Sequence, residues 1–117
     1  MEYVKITKGT PAAPLEVYSS EDLEGIVKVT YRDCRQDVED LKEGEILVTD
    51  MTDASEEVRL MYAKALITER GGLLCHAAVF SNSVGVPCVV GDEKVVSKLK
   101  TGDYIRIDYD GSIYLRK

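Results

Sequence analysis

The sequence predicts an α/β domain with mixed sheets. Three observations carry that expectation. Short runs rich in Val, Ile and Leu alternate with helix-compatible segments through the middle of the chain. Gly, Pro and Asp-Gly punctuate those runs at short intervals. The C-terminal stretch reads as two strands joined by a tight turn. At 117 residues, the chain is expected to be one domain over residues 1–117, able to bury about two thirds of its unfolded surface.

In chain order, Tyr3-Val4-Lys5-Ile6-Thr7 alternates apolar and polar side chains and predicts a strand. The Gly9 to Pro14 segment breaks regular structure, and Leu15 to Tyr18 predicts a further short strand. Gly25 to Tyr31 is enriched in β-branched residues and reads as a strand. Cys34 to Leu41 fits one or two helical turns stopped by Gly44, and Glu45 to Thr49 a buried strand. Asp53 with Glu56 forms a helix-start box, predicting a helix to about Lys64 with Val58, Met61 and Tyr62 on its apolar side. Ala65 to Thr68 is the next strand.

Leu73, Ala77, Phe80 and Val84 recur at helical spacing and form one apolar stripe, with His76 on its flank. Gly85 and Pro87 end that helix, and Cys88 to Val90 is a strand. Asp92 is expected to cap a short helix through Leu99. Tyr104 to Tyr109, Asp110-Gly111 and Ile113 to Leu115 predict a hairpin with a two-residue turn. Leu41-Lys42-Glu43-Gly44-Glu45 and Leu99-Lys100-Thr101-Gly102-Asp103 predict the same turn chemistry used twice before a strand.

Composition narrows the function. A net charge of −6 with no basic cluster argues against nucleic acid. No apolar run approaches the roughly 18–20 residues of a membrane span, and Met1 opens no signal-peptide pattern. Cys34, Cys75 and Cys88 are an odd set without CxxC spacing and read as reduced thiols of the cytoplasm. With His76 they also lack zinc-ligand spacing.

The chemistry points to one stretch, Leu66 to Phe80: a strand, the pair Gly71-Gly72, and a helix whose first turn holds the only histidine. Glycines at such a junction allow positive φ and close backbone approach. A helix start presents unpaired N–H groups and the positive end of the helix dipole, where phosphate can rest. An imidazole there is a nitrogen nucleophile near neutral pH. Thr68 and Arg70 are candidate phosphate contacts beside Gly71 and Gly72. The plain alternatives are a bare turn for the glycines, a solvated surface charge for Arg70, a simple strand end for Thr68 and a partly buried ring satisfied by a nearby carbonyl for His76. Cys75 adjoins His76, but neighbours one residue apart on a helix do not face each other, so adjacency makes no Cys–His pair.

Thr68 to Ala78, continued by Gly85-Val86-Pro87-Cys88-Val89-Val90-Gly91, resembles the mobile phosphohistidine domain of phosphoenolpyruvate-utilising enzymes. Gly44 to Asp53 and Leu99 to Asp103 extend the resemblance, which covers roughly residues 40–115. Two departures stand out. Leu74 occupies a position often held by Thr or Ser, and Ser81-Asn82 stands where Ala-Arg is common.

The resemblance implies a swivelling β/β/α three-layer fold. It also implies a phosphoryl carrier that accepts phosphate on His76 and passes it on. No Gly-rich P-loop is present, and 117 residues cannot hold a barrel of roughly 250. The expectation is therefore a free-standing carrier, not catalytically complete alone, that binds no cofactor itself. Magnesium-ATP or phosphoenolpyruvate would sit on a nucleotide-binding or phosphoenolpyruvate-binding partner protein. The alternative is a binding or regulatory module that kept the fold and lost phosphorylation.

Overall fold

The computed structural model describes residues 2–12, 15–19, 23–30 and 41–117. Its strands are β1 (Tyr3–Lys8), β2 (Thr10–Pro11), β3 (Glu24–Val29), β4 (Ile46–Thr49), β5 (Ala65–Thr68), β6 (Cys88–Val90), β7 (Tyr104–Ile107) and β8 (Ser112–Arg116). Its helices are α1 (Glu57–Leu60), α2 (His76–Val84) and α3 (Val95–Lys98), with 3-10 turns at Leu15–Val17 and Ala54–Glu56.

The strands form one sheet in the order β1-β8-β7-β3-β4-β5-β6-β2. β3, β4, β5 and β6 run parallel, while β1, β8 and β7 add antiparallel pairs at one end and β2 an antiparallel pair at the other. Only Gly9 separates β1 from β2, so the two edges of the sheet are joined by consecutive chain and the sheet is nearly closed. A side chain at Gly9 would meet Val89 Cγ1 at 2.6 Å and Asp92 Cβ at 2.9 Å, which is why the crossing needs glycine.

Period-two alternation sorts the strand residues into two cores. Ile46, Val48, Ala65, Ile67 and Val89 face inward, against Ile105, Ile107 and Ile113 of the antiparallel half. Val95, Val96 and Leu99, along α3 and just past it, join this inner core. The alternate residues Leu47, Leu66, Cys88 and Val90 face outward and meet Leu60 of α1 and Ala77, Ala78 and Phe80 of α2. The result is the expected β/β/α arrangement of three layers in a mixed sheet. On the uncovered face of the antiparallel half, Arg106 stacks between Tyr3 and Tyr114, and Arg116 lies 3.8 Å from the Tyr104 ring centre.

Several local expectations are corrected. Leu15 to Tyr18 holds a 3-10 turn, not a strand, and Thr10–Pro11 pairs with β6 where only a break was expected. The Asp53–Glu56 box forms, with Ser55 N donating to Asp53 Oδ1 and Asp53 N to Glu56 Oε1, both at 2.9 Å. The helix behind it stops at Leu60, however. With so few turns no broad apolar face exists. Leu60 is buried, while Val58, Met61 and Tyr62 are exposed.

α2 begins at His76, so Leu73 precedes the helix and is exposed, as is Val84 at its end. Buried Ala77, Ala78, Phe80 and Ser81 make the seam instead. Asp92 does not cap α3, whose N-cap is Lys94 at φ 69°. The Asp92 carboxylate is turned to the Thr7 hydroxyl at 2.5 Å. The hairpin loop has three residues: Asp108 N donates to Ser112 O at 2.8 Å and Gly111 N to Asp108 O at 3.0 Å, with Gly111 left-handed at φ 90°. The helical turns expected over Cys34 to Leu41 lie almost wholly outside the described residues.

Candidate functional site

The site forms at the carboxyl ends of β4 and β5, where parallel sheets place ligand crevices. Ladder pairing continues past the strands. Glu69 N donates to Thr49 O and Arg70 N to Asp50 O, each at 3.0 Å. The two outgoing loops therefore leave side by side. One carries Met51 and Thr52, the other Arg70, Gly71 and Gly72, and the second leads straight into α2.

Met51, Thr52, Thr68, Arg70, Gly71, Cys75, His76 and Ala77 line a shallow pocket of about 60 Å³. Four of the five residues singled out in the sequence meet there: His76, Gly71, Thr68 and Arg70. Gly72 lies beside it in the loop, where a side chain would meet nothing within 4 Å. Gly71 is tightly constrained. Its φ is 111°, and a side chain would meet Cys75 Sγ at 2.7 Å. The Thr68 hydroxyl donates to the Arg70 carbonyl at 2.8 Å and so shapes the loop. Arg70 is exposed at the pocket edge.

His76 is the first residue of α2, and the N-cap Cys75 makes no side-chain capping bond. The first-turn N–H groups, orphans by helix geometry, are thus not taken by a cap. Both ring nitrogens of His76 are engaged. Nδ1 lies 2.7 Å from the Thr52 hydroxyl and Nε2 lies 2.7 Å from Glu57 Oε2. The ring packs near-parallel to Phe80 at 5.9 Å between centres. Thr52 is 7% exposed, whereas the His76 and Glu57 side chains are 26% and 46% exposed. Thr52 thus grips the ring from inside, and Glu57 covers it from outside.

Neither Thr52 nor Glu57 was singled out in the sequence. Thr52 falls within the flanking block Gly44 to Asp53 that carries part of the resemblance, which was the available signal. Glu57 had none beyond its place next to the helix-start box.

Cys88 is buried and its thiol is pushed up to about 12 by that burial, so it holds its proton near neutral pH. Cys75 precedes α2 with its sulfur against Gly71. Among the described residues no cluster of three or more His, Cys, Asp or Glu could hold a metal ion. No helix among them is long and apolar enough to cross a membrane. Asn82 donates to Ala12 O at 2.7 Å and Ala78 O at 2.9 Å, tying α2 to the residue after β2.

Fold and site together define a three-layer swivelling-type domain that presents one histidine at a helix start. The model of the family described as "PEP-utilising enzyme, mobile domain" matches residues 41–111, and the chain belongs to that family. It is 43% identical over 72 residues to phosphoenolpyruvate synthase of Pyrococcus furiosus, covering 62% of this chain and 9% of the relative. The chain thus spans about a tenth of the length of the relatives it matches. A solution structure of Enzyme I is similar, with TM-score 0.57 and 26% identity over 68% of this chain and 33% of that one. Aconitase X of Thermococcus kodakaraensis shares the fold, with TM-score 0.68 and 21% identity over 95% of this chain and 98% of that one.

Proposed function

We propose that this domain is a phosphoryl carrier that receives phosphate on Nε2 of His76 at a partner's active site and hands it on. The observation carrying this reading is the asymmetric grip on the imidazole. A buried hydroxyl fixes Nδ1, and Nε2 is directed to the outer side at the start of an uncapped helix. In the step itself the Nε2 lone pair forms the N–P bond while the P–O bond to the donor breaks, its electron pair leaving with the donor oxygen. First-turn N–H groups and the open backbone at Gly72 receive the phosphoryl oxygens, and Arg70 supplies positive charge at the rim.

Family membership supports a role in phosphotransfer. The donor and acceptor belong to the proposal: a nucleotide-binding or phosphoenolpyruvate-binding protein or domain, holding magnesium-ATP or phosphoenolpyruvate, that docks against the Gly71 to Ser83 face in the cytoplasm. The wholly exposed Leu74, 92% accessible, sits on that face and gives a docking partner an apolar contact.

The test is incubation with labelled phosphoenolpyruvate or ATP and magnesium, first alone and then with candidate partners. An acid-labile, alkali-stable label is expected only with a partner, and none in His76→Asn. Catalytic turnover by the pure chain, or equal labelling of His76→Asn, contradicts the reading. No labelling with any partner favours a binding module that kept the fold.

A further inference from the structure

We propose that Glu57 is a latch on the acceptor nitrogen: it holds the unphosphorylated His76 ring in the tautomer that cannot attack phosphorus, and turns away when a donor arrives. This rests on the carrier reading above.

The geometry gives Glu57 this role and withholds it from Thr52. A carboxylate oxygen only accepts, so the 2.7 Å contact with Glu57 Oε2 puts a proton on Nε2. A ring nitrogen bearing hydrogen has no in-plane lone pair with which to attack. In that state Nδ1 holds the lone pair and accepts from the Thr52 hydroxyl. A hydroxyl both donates and accepts, so Thr52 fits either tautomer and selects neither. The choice of tautomer falls to Glu57.

Position supports the same assignment. Glu57 Oε2 stands 2.7 Å from Nε2, the atom the phosphorus must reach, and its charge repels an anionic donor. Of the two groups on the ring, Glu57 is the one able to leave. Its side chain is nearly half exposed and springs from the first residue of a one-turn helix, whereas Thr52 is buried.

Opening conserves protons. The Nε2 proton passes through Glu57 to water while water returns one to Nδ1, whose N–H then hydrogen-bonds to Thr52 Oγ1. Nε2, now bearing the lone pair, forms the N–P bond, and the donor leaves with the electrons of the bond it loses.

The experiment uses potassium phosphoramidate, a small phosphoryl donor that needs no protein partner and whose leaving group is ammonia. Glu57→Gln and Glu57→Ala should be phosphorylated at His76 about tenfold faster than the unaltered chain, the scale of one removed charge contact. Since the chain has a single histidine, its nitrogen-15 spectrum reads the tautomer directly. The unaltered chain should show the proton on Nε2, and both variants a shift toward a mixture. A merely structural role would not move that signal. Equal or slower labelling of both variants, or an unaltered chain with its proton on Nδ1, overturns the latch. Failure of every protein partner to label the chain would instead count against the carrier reading, so the two failures are separable.

Discussion

At the scale of single residues, the proposed carrier role needs a positioned imidazole, and Thr52 is the buried group that holds it. It fixes the ring through Nδ1 and supplies no charge, so its contribution is geometric. Thr52→Val keeps the shape and removes the hydrogen bond. Phosphate acceptance from a partner should fall on the order of a hundredfold, the scale of a misplaced reacting group, while Thr52→Ser retains most of the rate. Initial labelling rates with a fixed partner concentration measure it. Unchanged acceptance in Thr52→Val would show that the ring needs no internal grip. His76 stands out in the sequence, because a lone histidine behind a double glycine is a local pattern. Thr52, 24 residues earlier in sequence, does not, because only the parallel pairing of β4 with β5 brings the two loops together.

At the scale of elements, the strand–glycine–helix junction separates two glycines that the sequence writes identically. Gly71 is left-handed and packed against Cys75, whereas Gly72 faces open space. Gly71→Ala should destabilise the domain by roughly 1–3 kcal/mol from backbone strain, with the Cys75 contact adding to it. Gly72→Ala should stay within about 0.5 kcal/mol. Urea denaturation of the two variants measures both, and equal losses would mean that the loop rearranges.

Turn chemistry was legible at this scale. Lys42 N donates to Glu45 Oε1 and Glu45 N to Lys42 O around left-handed Gly44, and Lys100, Asp103 and Gly102 repeat the pattern. Such bonds are local, so the sequence shows them. Helix lengths were less legible. The Leu73 to Val84 stripe assumed a helix that includes Leu73, but the Gly72-Leu73-Leu74 turn delays its start to His76. The stripe expected along Val58, Met61 and Tyr62 failed because α1 ends after one turn.

At the scale of the whole molecule, a buried polar clasp spans the nearly closed sheet. The Thr7 hydroxyl at the end of β1 donates to Asp92, which follows β6, next to the Gly9 crossing. No periodicity announces a contact 85 residues apart, and Asp92 therefore read as a helix cap. Burial raises the Asp92 carboxyl above the ordinary carboxylate range, with the Thr7 bond and the charge of Lys98 offsetting part of the effect. The folded state thus holds this proton more tightly than the unfolded chain does. Stability from this group should fall as pH rises from the ordinary carboxylate range through the raised one, then level off. Asp92→Asn should lose that slope, as read by urea midpoints across a pH series. An identical slope in the variant would assign the pH dependence to other carboxyls.

A fold alone does not dictate chemistry, which lives in the site it carries. The proposed carrier role therefore rests on one atom, Nε2 of His76. Its most direct test is nitrogen–phosphorus coupling in the NMR spectrum of the nitrogen-15-labelled chain after phosphorylation by a partner. A single phosphoryl group bonded to Nε2 is expected, with Nδ1 still hydrogen-bonded to Thr52. A phosphoryl group on Nδ1, or on any residue other than His76, would contradict that role.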